Sequence, residues 1–118
     1  MKNRIAGVCF ISVGGDQLEL AGKILCSLDK TEKEGLAGLS GVAGYKETPR
    51  VPFIDIEVFV PPGFPMKKLD EDELVVTANL ANGMNGVLSQ AWVAGAKELD
   101  GAEGKMNLKF EGKEGKWI

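Results

Sequence analysis

Residues 105–111 read Lys-Met-Asn-Leu-Lys-Phe-Glu, and the fold of the whole chain can be argued outward from them. Met106, Leu108 and Phe110 alternate strictly with Lys105, Asn107, Lys109 and Glu111. Successive side chains of an extended strand point to opposite faces, so this period of two predicts a strand with one apolar and one wet side. The pattern recurs upstream. Across residues 50–60, Pro52, Ile54, Ile56, Val58 and Val60 share one face, and Asp55 and Glu57 stand on the other. Leu74, Val76, Ala78 and Leu80 alternate with Val75, Thr77, Asn79 and Ala81. The segment 87–93 follows Asn82-Gly83 and Asn85-Gly86, dipeptides that favour tight hairpin turns. Near the start, the strand-like run 4–13 meets Gly14-Gly15-Asp16 before residues 17–20, which predicts a second hairpin. Residues 23–29 then place Ile24, Cys26 and Leu28 on one side.

One stretch predicts a helix. Residues 65–73, Pro-Met-Lys-Lys-Leu-Asp-Glu-Asp-Glu, follow a Pro-Pro-Gly break and are rich in helix formers, with Met66 and Leu69 expected to point inward. The four consecutive acids lack the spacing of a calcium loop and read as a solvated helix end. The expected fold is therefore mainly β. It is a β-sandwich or partial barrel of six or seven strands, with one short helix (about 65–73) and a long Gly-rich loop (about 34–49). At 118 residues the chain is expected to form a single domain over 1–118.

Composition excludes several kinds of function. There is no histidine, so the commonest general base and metal ligand are both missing. Fourteen basic against seventeen acidic residues gives a net charge of −3, which offers no case for gripping a phosphate backbone. No apolar run is long enough to span a membrane, and residues 1–13 lack the core and cleavage site of a signal peptide. Cys9 and Cys26 lie in apolar strand-like segments and read as buried thiols in a chain made inside the cell. The acid pairs Asp70/Asp72 and Asp55/Glu57 stand alone, without a nucleophile, a base or a substrate cleft around them. The expectation is that the chain is not an enzyme and uses no cofactor or metal.

The segment 34–49, Glu-Gly-Leu-Ala-Gly-Leu-Ser-Gly-Val-Ala-Gly-Tyr-Lys-Glu-Thr-Pro, stands apart. Gly35, Gly38, Gly41 and Gly44 recur every third residue, accompanied by Leu36, Leu39 and Val42. The repeat is too short and too poor in proline for a collagen helix, and it matches neither a dinucleotide fingerprint nor a P-loop. Ordering so many glycines is entropically costly, so their aliphatic neighbours and Tyr45 must find cover. An Ω-loop packed on its own domain would provide it, as would contact with another copy of the chain. Two strands favour the second reading. Ile5, Cys9, Ile11 and Val13 oppose Ala6, Val8 and Phe10, and Ala91 and Val93 oppose Trp92 and Ala94. Strands apolar on both sides imply a second buried surface, most simply supplied by subunit contacts.

These features sit in a recognisable order. Arg4-Ile5-Ala6-Gly7 comes first, then Gly44-Tyr45-Lys46-Glu47-Thr48-Pro49 and Val51-Pro52-Phe53-Ile54. Leu80-Ala81-Asn82-Gly83, Ala91-Trp92-Val93-Ala94-Gly95, Ala102-Glu103-Gly104 and Phe110-Glu111-Gly112 follow. In that order and spacing the chain resembles the tail tube proteins of Mu-like contractile-tailed bacteriophages over essentially its whole length. The resemblance implies hexameric rings stacked into the inner tube of the tail, a conduit for genome delivery, with DNA in transient, non-specific passage. It also implies tail sheath, tape measure, baseplate and tail terminator proteins as partners, assembly in the host cytoplasm, and residence in the virion without a membrane anchor. Gly35, Leu36, Leu39, Val42, Tyr45, Ile5 and Phe10 then become candidates for contacts within and between rings. Asp55 and Glu57 become candidates for the lumen lining, where carboxylates repel a polyanion. Two alternatives stay open. One is the tube of a phage-tail-like bacteriocin or type VI-like injection device. The other is a small β-barrel that binds a ligand in a pocket lined by Trp92, Tyr45 and Phe53.

Overall fold

The computed structural model describes residues 10–118. Ile5 and Cys9, named above, lie outside the described residues. Eight strands follow in order: β1 (Phe10–Val13), β2 (Asp16–Ser27), β3 (Thr31–Gly38), β4 (Gly41–Pro49), β5 (Phe53–Phe59), β6 (Leu74–Asn79), β7 (Asn85–Asp100) and β8 (Lys105–Trp117). Six of them close an antiparallel barrel in the order β1-β2-β5-β8-β7-β6, with β1 also pairing β6. Of sandwich and barrel, the barrel is realised. Strands β3 and β4 form a separate two-stranded sheet.

The alternating segments behave as their sequence dictates. Ile54, Ile56 and Val58 of β5, Leu74, Val76 and Ala78 of β6, and Met106, Leu108 and Phe110 of β8 all point inward and are buried. Ile11, Val13, Leu18, Leu88 and Ala91 join them, so the interior is filled with side chains. Cys26 is half-buried and packs against this core. Gly14 and Gly15 make the two-residue turn between β1 and β2, both with φ in the left-handed region (56° and 96°) that such turns need. Asn82 lies in the turn between β6 and β7, where its side chain accepts from the Met84 amide at 3.0 Å. Asn85-Gly86, by contrast, has already entered β7.

Two expectations are corrected. The helix at 65–73 is a single 3-10 turn, Met66–Asp70. Leu69 is buried beneath it as expected, whereas Met66 is exposed. No side chain caps its start, and the acids that follow oppose the dipole at its end, so Glu71 returns to extended backbone and leads into β6. The Gly-rich segment 34–49 is not an irregular loop but a regular hairpin, β3 and β4, which accounts for the strands beyond the six or seven expected. Its glycines hide the period of two. In the folded hairpin Gly35 stands opposite Tyr45, and Gly44 opposite Leu36, so each large side chain lies across from an empty position.

Candidate functional site

The hairpin β3–β4 projects as an arm. Every one of its residues is exposed, with Leu39 at 111% and Val42 at 87%, beyond anything a self-packed loop would show. An eight-residue strand extends about 27 Å, and the molecule measures 61 × 35 × 26 Å. Its radius of gyration is 17.0 Å, against about 13.5 Å for a compact chain of this length. The Ω-loop packed on its own domain is therefore excluded. Beyond its base, what order the arm has comes from within: the cross-strand ladder, a Lys46–Glu34 ion pair at 3.4 Å, and Lys33 over the Tyr45 ring at 4.8 Å. An isolated two-stranded hairpin is marginal in water. Leu36, Leu39, Val42 and Tyr45 are thus brought together on one arm, on offer to something else.

The second surface is the outer face of the sheet β2-β5-β8-β7. Cross-strand register sorts its side chains into rows. Ser27, Phe53, Glu111 and Trp92 form one; Leu25, Asp55, Lys109 and Ala94 the next; then Glu57, Asn107 and Glu98; and last Glu19, Phe59, Lys105 and Asp100. Asp55 and Glu57 do share this face, but in unlike surroundings. Asp55 pairs with Lys23 at 3.2 Å and stands opposite Lys109. Glu57 stands opposite Asn107, with Glu98 on the far side of that residue. Together with Asp100 and Glu103 they rim a shallow, acid-rich depression beside Lys105. Hydrogen bonding to Glu103 (3.0 Å) and that carboxylate's charge hold the Lys105 ammonium above its ordinary pKa, with Glu57 and Asp100 adding to the effect. Its charge therefore persists throughout neutral pH, and whatever these contacts contribute fades only as alkaline pH passes that raised value.

Sequence alternation missed Glu98. It lies beyond an irregularity in the β7–β8 register, where a step of four residues along β7 from Ala94 to Glu98 matches a step of two along β8 and Gly95 has φ of 77°. The in-out alternation is kept, but this offset is what brings Glu98 level with Asn107 and Glu57. Phe10 is exposed on the outer side of β1, opposite Glu19. Beyond Ala91, β7 pairs with β8 on one edge, and among the described residues its other edge carries no strand. Phe53 and Trp92 share a row on the barrel exterior while Tyr45 rides on the arm, so these three aromatics belong to different surfaces and not to one pocket. No cluster of three or more metal-ligating side chains exists among the described residues.

A packed barrel with a projecting arm and a long, patterned outer sheet is a shape with known counterparts. The family model for phage tail tube proteins matches residues 2–117. The chain belongs to the phage tail tube protein family. It is accordingly a structural tube component and not an enzyme. A phage tail tube component is part of a virion or an extracellular particle. Among the described residues no helix is long and apolar enough to cross a membrane.

Solved structures share the tail tube fold. Hcp1 from Flavobacterium johnsoniae superposes with a TM-score of 0.62 at 10% identity, covering 94% of each chain. A sheath/tube terminator of an extracellular contractile injection system, PVC, gives 0.60 at 13% identity, covering 94% of this chain and 93% of that one. A chain of the sheath–tube complex of the PVC system gives 0.57 at 14%, covering 94% and 88%. At such identities the likeness is one of fold. No curated protein matches the sequence.

Proposed function

We propose that this chain folds as one domain over residues 1–118 and assembles into hexameric rings, stacked as the inner tube of a contractile phage tail and forming the conduit for genome delivery. The observation that carries the proposal is the arm: a hairpin with four large apolar side chains exposed and no cover from its own barrel. Such an arm finds cover for its apolar side chains only in company. The edge of β7 beyond Ala91, which carries no strand among the described residues, supports the same reading, because an unpaired strand edge is a template for the sheet of a neighbouring copy. Phe10 and Ile5 are the further ring contacts. The partners are tail sheath, tape measure, baseplate and tail terminator proteins, and assembly takes place in the host cytoplasm. The same geometry would serve a bacteriocin or type VI-like injection device, and the fold shared with chains of an extracellular contractile injection system favours that as the second reading.

Negative-stain electron microscopy of the purified protein across a concentration series tests the proposal. Rings or hollow rods are the expected result. Particles that stay monomeric even with sheath and baseplate proteins present would overturn it.

In the proposed tube the outer face of β2-β5-β8-β7 lines the lumen, and each row of side chains becomes a ring of charge. The row with Asp55 is balanced by lysine, whereas the row with Glu57 and Glu98 carries two acids and no base. Repulsion of DNA then comes chiefly from the second row and reaches about 8–10 Å at physiological salt. Glu57→Gln with Glu98→Gln should slow DNA ejection, and Asp55→Asn should slow it less. Ejection kinetics that stay unchanged in the double variant would remove this face from the lumen.

A further inference from the structure

Three glycines near the base of the arm are not explained by their backbone. Gly86, Gly112 and Gly115 all lie within strands and none has a left-handed φ, so conformational freedom is not why they are there. Space is. A Cβ on Gly115 would lie 2.4 Å from the carbonyl oxygen of Leu28 and 2.8 Å from its Cβ. A Cβ on Gly86 would lie 2.9 Å from Leu28 Cδ1 and 3.3 Å from the Trp117 ring. Leu28, only 3% exposed, is thus pressed onto bare backbone where the start of β7 pairs with the end of β8 beneath the chain leading into the arm.

The rest of the arm's base is fastened to the same place. The Arg50 amide donates to the Lys30 carbonyl at 2.8 Å, closing the two stems on each other. Lys30 pairs with Glu114 at 2.9 Å, beside Gly115, and the Gly112 amide donates to the Pro52 carbonyl at 3.2 Å. The Arg50 guanidinium donates to the Ser27 hydroxyl and lies over the Phe53 ring. Both stems therefore rest on the C-terminal half of β8.

We infer that Gly115, with Gly86, is a positioning residue: the pair forms a flat seat for Leu28 that fixes the direction in which the arm leaves the barrel before any neighbour is met. This rests on reading the arm as the assembly contact. A pre-aimed arm docks without the entropic loss of being ordered at the moment of contact. The obstacle at Gly115 is the Leu28 backbone, which cannot swing aside as the tip of a side chain would.

The test uses backbone residual dipolar couplings of the whole chain, recorded below the concentration at which it assembles. In the parent protein one alignment tensor should fit arm and barrel together. In Gly115→Ala, and in Leu28→Ala, which empties the seat without adding bulk, arm couplings should collapse while those of the barrel persist. The onset of tube formation should then move to concentrations higher by about tenfold or more, as loss of preorganisation predicts. Arm couplings already averaged in the parent, or intact in both variants, would overturn the inference. Loosened arms with an unchanged onset of assembly would leave the seat standing and sink the arm as an assembly contact.

Discussion

Replacing Leu36, Leu39 and Val42 together by serine is expected to leave a folded monomer and abolish tube formation. The monomer should survive because none of the three belongs to the barrel core, and all are exposed on a hairpin held by its own ladder. Assembly should fail because each apolar side chain of this size is worth about 1.5–3 kcal/mol when buried. Removing three from every contact takes away roughly 4.5–9 kcal/mol, and every 1.4 kcal/mol is about tenfold in affinity. Circular dichroism and sedimentation of the same sample separate the outcomes. Tubes of normal length would show that the arm is not an assembly element, and an unfolded chain would show that it is part of its own domain's core.

The second large effect concerns the barrel. Phe110 is fully buried on β8, where the register sets it between Ile54 of β5 and Val93 of β7. Phe110→Ala should cost about 3–5 kcal/mol, the lost transfer energy plus the cavity left behind. Small domains are typically stable by only about 5–15 kcal/mol, so the variant should lose a large share of the barrel's stability. Urea denaturation reads this directly. A loss below about 1 kcal/mol would mean that the interior collapses around the gap, unlike a close-packed core.

What could be read from sequence follows from how local the cause is. β5, β6 and β8 were legible because alternation is a property of each strand alone, and the buried residues are those the pattern places inside. Closure of the barrel was not, because it depends on β1 meeting β6 across more than half the chain. The arm was hidden by its own glycines. Their spacing of three overlies a strand period of two, and the two agree only once Gly35 is set against Tyr45 and Gly44 against Leu36. Asp55 and Glu57 were correctly placed on one face, but sequence could not show that Lys23 pairs with the first, which also stands opposite Lys109, whereas the second stands opposite Asn107. Glu98 escaped because only the two-residue offset in the register before it sets it beside Asn107, level with Glu57, and such an offset leaves no mark on the alternation. Gly112 and Gly115 follow no pattern in the sequence, and only the approach of Leu88, Ser89 and Leu28 reveals them as places where a side chain cannot fit.

The arm's absence from the barrel's interior has a practical side. The barrel should be the unit that melts cooperatively, because the hairpin between Thr31 and Pro49 contributes no residue to the core. A thermal scan is therefore blind to the arm. Any survey of variants ranked by melting temperature would score Leu39 and Val42 as dispensable, alongside ordinary surface positions. In the proposed tube, selection would act on them through the neighbouring subunit instead, so one chain would answer two separate demands, written on stretches of sequence that scarcely overlap.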